Sequence, residues 1–121
     1  MFRKANAMKR ETCIACHEGE GELICTTVLT GADSAQGLLF MHYDEIAPGA
    51  SIGRHPHQGN EEVYYLLEGA CTMWVDGYSY PMRPGDVSLV ESGHSHGIVN
   101  DSDRVAKLIV YCVAGSRGMD Q

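Results

Sequence analysis

Turn-forming residues punctuate this chain about every 8 to 12 positions, and that spacing decides the class of fold. Pro48-Gly49, Gln58-Gly59-Asn60, Asp76-Gly77, Pro84-Gly85-Asp86, Ser92-Gly93 and Asn100-Asp101 each separate short runs rich in β-branched and apolar residues. No stretch sustains the 3.6-residue apolar period of an amphipathic helix over ten or more positions. The runs read as strands over 22–30, 38–46, 51–57, 62–68, 71–75, 78–82, 87–90, 95–99 and 105–113. That succession predicts an all-β sandwich or barrel. With 121 residues there is room for one domain and a real core, not two. The expected layout is an N-terminal arm over 1–21 with at most one short strand, a barrel over 22–114 and a frayed tail over 115–121.

Charge narrows the partners. The net charge is −7, and four of the nine basic residues (Arg3, Lys4, Lys9, Arg10) stand in the first ten positions. The rest of the chain sets five basic residues against all sixteen acidic ones. A nucleic-acid partner would need a basic face, so none is expected. No apolar run approaches the length of a membrane-spanning helix, and no apolar leader follows the basic start. The expectation is a cytoplasmic protein whose five cysteines, an odd number, are free thiols. Cys13-Ile14-Ala15-Cys16-His17 matches the C-x-x-C-H string of haem c attachment, but haem c requires export, so the match reads as coincidence. No second cysteine pair supports zinc there.

Two expected strands are apolar on both faces. In 62–68 one face carries Tyr64 and Leu66 and the other Val63, Tyr65 and Leu67; 105–113 behaves alike. Such strands are covered on both sides, so a homodimer is expected, unless the N-terminal arm covers the outer face.

The chemistry concentrates in Arg54-His55-Pro56-His57 and the acidic pair that follows. In a strand, positions i and i+2 point the same way, so His55 and His57 can present two imidazoles to one point. The Gln58-Gly59-Asn60 turn predicts a hairpin that returns Glu61 or Glu62 beside them. Two neutral nitrogens and a carboxylate suit a borderline divalent ion. A later run, Gly93-His94-Ser95-His96, offers a further ligand.

These stretches resemble the cupin superfamily, in particular small single-domain bacterial cupins. The first cupin motif, G-x5-H-x-H-x3–4-E-x6-G, is matched by Gly49, His55, His57, Glu62 and Gly69; only Glu62 leaves six residues before Gly69. The second motif is matched by Gly85, Gly93, His96 and Asn100, with Glu91 where the family has proline. The resemblance covers about residues 36 to 114. It implies a small β-barrel of jelly-roll (double-stranded β-helix) topology. It also implies one divalent transition metal (Mn, Fe, Ni, Co or Zn) held by His55, His57, Glu62 and His96.

Four protein ligands leave positions open on an ion that prefers six. The functional expectation is therefore a metal-dependent enzyme of the dioxygenase, decarboxylase or isomerase class acting on a small oxygen-rich molecule. The alternative is a cupin that binds or senses a small ligand or metal without turnover. Other candidate site residues are His42, a polar residue in an apolar strand; Tyr64, which shares parity with Glu62; His94, at the rim or simply exposed on a turn; and Arg54, placed to hold a carboxylate at the pocket rim.

Overall fold

Burial alternates with period two over 61–67, 71–74 and 106–113, as a sheet covered on one face requires. The structure, a computed structural model, describes residues 1–115; the rest of the expected tail, 116–121, lies outside the described residues. The strands are β1 (Lys9–Ile14), β2 (Glu22–Thr30), β3 (Leu38–Ile46), β4 (Ser51–Pro56), β5 (Asn60–Glu68), β6 (Cys71–Val75), β7 (Tyr78–Met82), β8 (Val87–Val90), β9 (Ser95–Val99) and β10 (Ala106–Ala114). All pairings are antiparallel. They form a six-stranded sheet in the order β1-β2-β3-β10-β5-β8 and a four-stranded sheet in the order β4-β9-β6-β7. Apolar side chains of both sheets, among them Ile46, Leu66 and Leu108 from the first and Ile52, Met73 and Ile98 from the second, make the core between them.

The topology corrects one expectation. β4 and β5 are not a hairpin: β4 pairs with β9 in the smaller sheet, while β5 pairs with β10 and β8 in the larger. The Gln58-Gly59 turn, with Gly59 at φ 77°, carries the chain from one sheet to the other. Glu62 therefore meets the histidines from the opposite wall.

The N-terminal arm is ordered into the architecture. β1 pairs with β2 from Lys9↔Thr27 to Ile14↔Glu22, and a single helical turn, Cys16–Glu18, packs on β4. The arm extends the six-stranded sheet at the β2 edge, so it does not cover the outer face of β5 and β10. Asn100 is fully buried with all its bonding capacity used: its amide donates to the carbonyls of Ile46 (2.9 Å) and Arg104 (2.6 Å), and its oxygen accepts from the Ser102 amide and hydroxyl. It ties the end of β3 to the loop before β10.

Candidate metal centre

A β-bulge between Ile52 and His55 resets the alternation on β4 and turns His55 inward, and the turn that follows brings His57 to the same point. His96, on β9 directly opposite His55, and Glu62, on β5 of the facing sheet, complete the group. One donor atom from each of the four lies within 4.8 Å of the others. Glu62 Oε1 stands 2.8 Å from His96 Nε2, 3.1 Å from His57 Nε2 and 3.7 Å from His55 Nε2, and the His57 and His96 Nε2 atoms are 3.1 Å apart. Glu62 and His96 are buried, and His57 is at the edge of burial.

The ring tautomers are fixed from outside. His55 Nδ1–H donates to the Gly53 carbonyl at 2.7 Å, and His57 Nδ1–H donates to Asn60 Oδ1. In each neutral ring this leaves the Nε2 lone pair aimed at the group's centre. His96 Nδ1 is buried without a partner, so its Nε2 carries the ring's polar contacts. Lone pairs converging at 3.1 Å repel unless a proton or a cation stands among them. Three imidazole nitrogens and a carboxylate oxygen, with the His55 and His57 tautomers fixed, fit a divalent transition metal.

The local field follows from burial and these contacts. Burial pushes the Glu62 carboxyl up, but the facing His55 ring and the hydrogen bond from His96 outweigh it and hold the acid at about 2. Burial lowers His55, but the facing Glu62 carboxylate and the bond to the Gly53 carbonyl leave it raised. Burial dominates at His96, which is lowered. Tyr64 packs over His96 with ring centroids 4.5 Å apart, and burial, reinforced by Glu62, raises its phenol well above the usual value.

Beside the group opens a cavity of about 320 Å³. Its lining includes Glu62, Tyr64 and His42, together with Cys13, Cys16 and His17 of the arm. His42 stacks on Phe40 at 4.4 Å, and burial lowers its pKa. His17 stacks on His55. Sequence reasoning left His17 aside with the C-x-x-C-H string; the string itself was the signal, but its partner His55 lies 38 positions away, beyond any local pattern.

Two candidates fall elsewhere. Arg54 alternates with His55, so it points to the outer face of its sheet, where its guanidinium lies 3.9 Å over the Trp74 ring. It holds nothing at the cavity rim. His94 is exposed, and its Nδ1 pairs with Asp76 at 2.8 Å; it serves the site through its backbone carbonyl, which accepts the His57 amide at 3.0 Å.

Two facing antiparallel sheets around a three-histidine, one-carboxylate centre define a small β-barrel with an internal candidate metal site. Residues 42–113 match the cupin domain family, and the chain belongs to it. It is 41% identical over 56 residues to an oxalate-binding protein of Thermotoga maritima, covering 46% of each chain. It is 29% identical over 102 residues to quercetin 2,3-dioxygenase of Bacillus subtilis, covering 80% of this chain and 30% of the relative. A solved structure described as a predicted oxalate decarboxylase from Thermotoga maritima superposes with a TM-score of 0.89 at 25% identity, covering 94% of this chain and 99% of that one. The match spans less than half the length of both curated relatives.

Proposed function

We propose that the chain is a metal-dependent enzyme acting on a small oxygen-rich anion, with a divalent transition metal held by His55, His57, Glu62 and His96. The observation that carries this reading is the convergence of three Nε2 atoms and Glu62 Oε1 beside a cavity large enough for a small molecule. When bound, the ion supplies a Lewis acid with positions open to a carboxylate or carbonyl oxygen.

The side chains define the rest. Among the described residues the cavity lining holds Glu11, Asp44 and Glu62 but no Lys or Arg. An anionic substrate therefore finds no cationic side chain there, and its affinity depends on the metal centre. Tyr64 keeps its proton at neutral pH and serves as a hydrogen-bond donor. His17 is lowered by burial and then by His55, and His42 by burial, so both are neutral imidazoles able to accept a proton. The Thermotoga maritima matches in sequence and in structure both carry oxalate in their descriptions, which favours a small dicarboxylate and a decarboxylase over the dioxygenase and isomerase readings.

A second reading is metal-dependent ligand binding without turnover, favoured by the relative described as an oxalate-binding protein. One experiment tests both. Metal-loaded protein is titrated with oxalate by calorimetry, and release of carbon dioxide and formate is followed. Metal-dependent binding with product supports the enzyme; binding without product moves the assignment to the second reading. Failure of chelator-stripped protein to take up any of Mn, Fe, Co, Ni or Zn sinks both.

The outer face of β5, β8 and β10 further supports a homodimer, since the arm leaves it uncovered.

A further inference from the structure

The inner face of the six-stranded sheet carries a second cluster of donors, sharing no residue with the first. Cys25 on β2 and Asp44 on β3 are directly opposed in the antiparallel register. His42 lies two residues before Asp44, so strand alternation puts it on the same face. One donor atom each from Cys25, His42 and Asp44 lies within 4.8 Å of the others. All three residues line the cavity.

A second observation points to a ligand. Asp44 is 4% exposed, and its Oδ1 is buried with no hydrogen-bond partner among the described residues. An orphaned buried carboxylate oxygen is costly, and native structures rarely tolerate one without a bound water, ion or function. Among the described residues no Lys or Arg lines the cavity to neutralise it.

We propose that Cys25, His42 and Asp44 form a second cation site, which takes a thiophilic divalent ion of the zinc class. The donor types select the ion. A thiolate excludes Mg²⁺ and Ca²⁺ in favour of soft or borderline metals, and sulfur, imidazole and carboxylate together are a zinc-type set. Three protein ligands leave a tetrahedral ion one open position, and these three face the cavity. Binding expels the Cys25 thiol proton to solvent; the resulting thiolate and the Asp44 carboxylate then balance the two positive charges. The inference is independent of the metal assignment above, because each site has its own donors.

Cobalt distinguishes the two sites, since only the second contains sulfur. Reduced, chelator-stripped protein is titrated anaerobically with Co²⁺. The expected result is two bound equivalents, with a near-ultraviolet sulfur-to-cobalt charge-transfer band that added Zn²⁺ bleaches. Cys25→Ser abolishes the band and reduces the stoichiometry from two to one. His57→Ala also reduces it from two to one but keeps the band. Asp44→Asn keeps the band and weakens cobalt binding at least about tenfold, which decides the matter if Cys25→Ser melts early without metal. The proposal is overturned if the unaltered protein shows no band, if the band survives Cys25→Ser, or if Cys16→Ser removes it, which would place the thiolate in the C-x-x-C turn.

Discussion

His17 lies flat on His55, with ring centroids 3.8 Å apart and ring planes 11° apart. The contact joins the N-terminal arm to the candidate metal centre and covers one face of the His55 ring. It requires close backbone approach. Ala15, His17 and Glu18 all take positive φ in the turn, and a Cβ at Gly53 would overlap the carbonyl oxygen of His17.

Gly53→Ala is expected to unseat this turn. The clash is with backbone, so no rotamer change relieves it, and the expected cost is about 1–3 kcal/mol. Urea denaturation of the metal-free protein measures it. His17→Ala removes the stack without the clash; because its ring is not one of the four converging donors, metal stoichiometry is retained. An unshifted urea midpoint for Gly53→Ala would show that the arm does not sit against β4.

Asn60 fixes His57 through the bond from Nδ1–H to its Oδ1. Asn60→Leu removes the acceptor while keeping the side-chain bulk. His57 is then free to place its proton on Nε2, where it blocks the metal. Affinity at this site is expected to fall about 10–100-fold, with the site still filled at saturation. Competition against a chelator of known affinity measures this; unchanged affinity would mean the tautomer is set elsewhere.

Metal occupancy should fall on acidification. His55 has its pKa raised, because the facing Glu62 carboxylate and the bond to the Gly53 carbonyl outweigh burial. The metal competes with that proton, so binding is full above the folded pKa of His55 and weakens as pH drops through it. Glu62, at about 2, stays ionised across this range and does not set the loss. Equilibrium dialysis with elemental analysis should show most metal gone below about pH 6. Full occupancy at about pH 4.5 would contradict the three-imidazole assignment.

Asp44 carries a stability signature of its own. Burial, only partly offset by a hydrogen bond from Cys25, raises its carboxyl from 3.8 to about 6. The folded state therefore holds an extra proton between these values. In metal-free protein this contribution is fully present below 3.8 and lost as pH rises through about 6. Asp44→Asn should flatten that slope and stabilise the metal-free protein at pH 8, by at most about 3 kcal/mol. Thermal melts at several pH values in chelator check it. A variant less stable than the unaltered protein at high pH would show that the ionised carboxylate has a stronger partner than the Cys25 thiol.

The strands and the four converging residues were legible in the sequence because they rest on local rules. Turn residues bound β2, β3 and β6 to β9 at their expected ends, and the i, i+2 rule aligned His55 with His57. The same rule, applied one residue earlier, turns Arg54 outward, so its placement at the rim neglected information already present. The sheet that β5 joins was not legible. A Gln-Gly-Asn turn looks the same whether it closes a hairpin or crosses between sheets, and only long-range pairing with β10 decides. The stack of His17 on His55 and the facing of Cys25 with Asp44 likewise depend on register between distant strands.

The outer face of the larger sheet makes the last prediction. The antiparallel register places Val87, Tyr65, Ile109 and Tyr43 in one row across β8, β5, β10 and β3, and Leu89, Val63, Tyr111 and Met41 in the next. Val87 is 64% and Leu89 50% exposed, with Tyr65 and Tyr111 also open. Two adjacent apolar rows on a flat sheet exceed what scattered surface residues explain. A two-fold pairing of copies would bury both rows against themselves, since the same patch meets its own image. Sedimentation equilibrium should then report a dimer, and Tyr65→Lys combined with Leu89→Glu a monomer that melts as a folded protein. The charges project from the outer face, so they leave the core and the candidate metal centre untouched. A monomeric unaltered protein at about 100 μM, some hundredfold above a micromolar dissociation constant, would rule the dimer out.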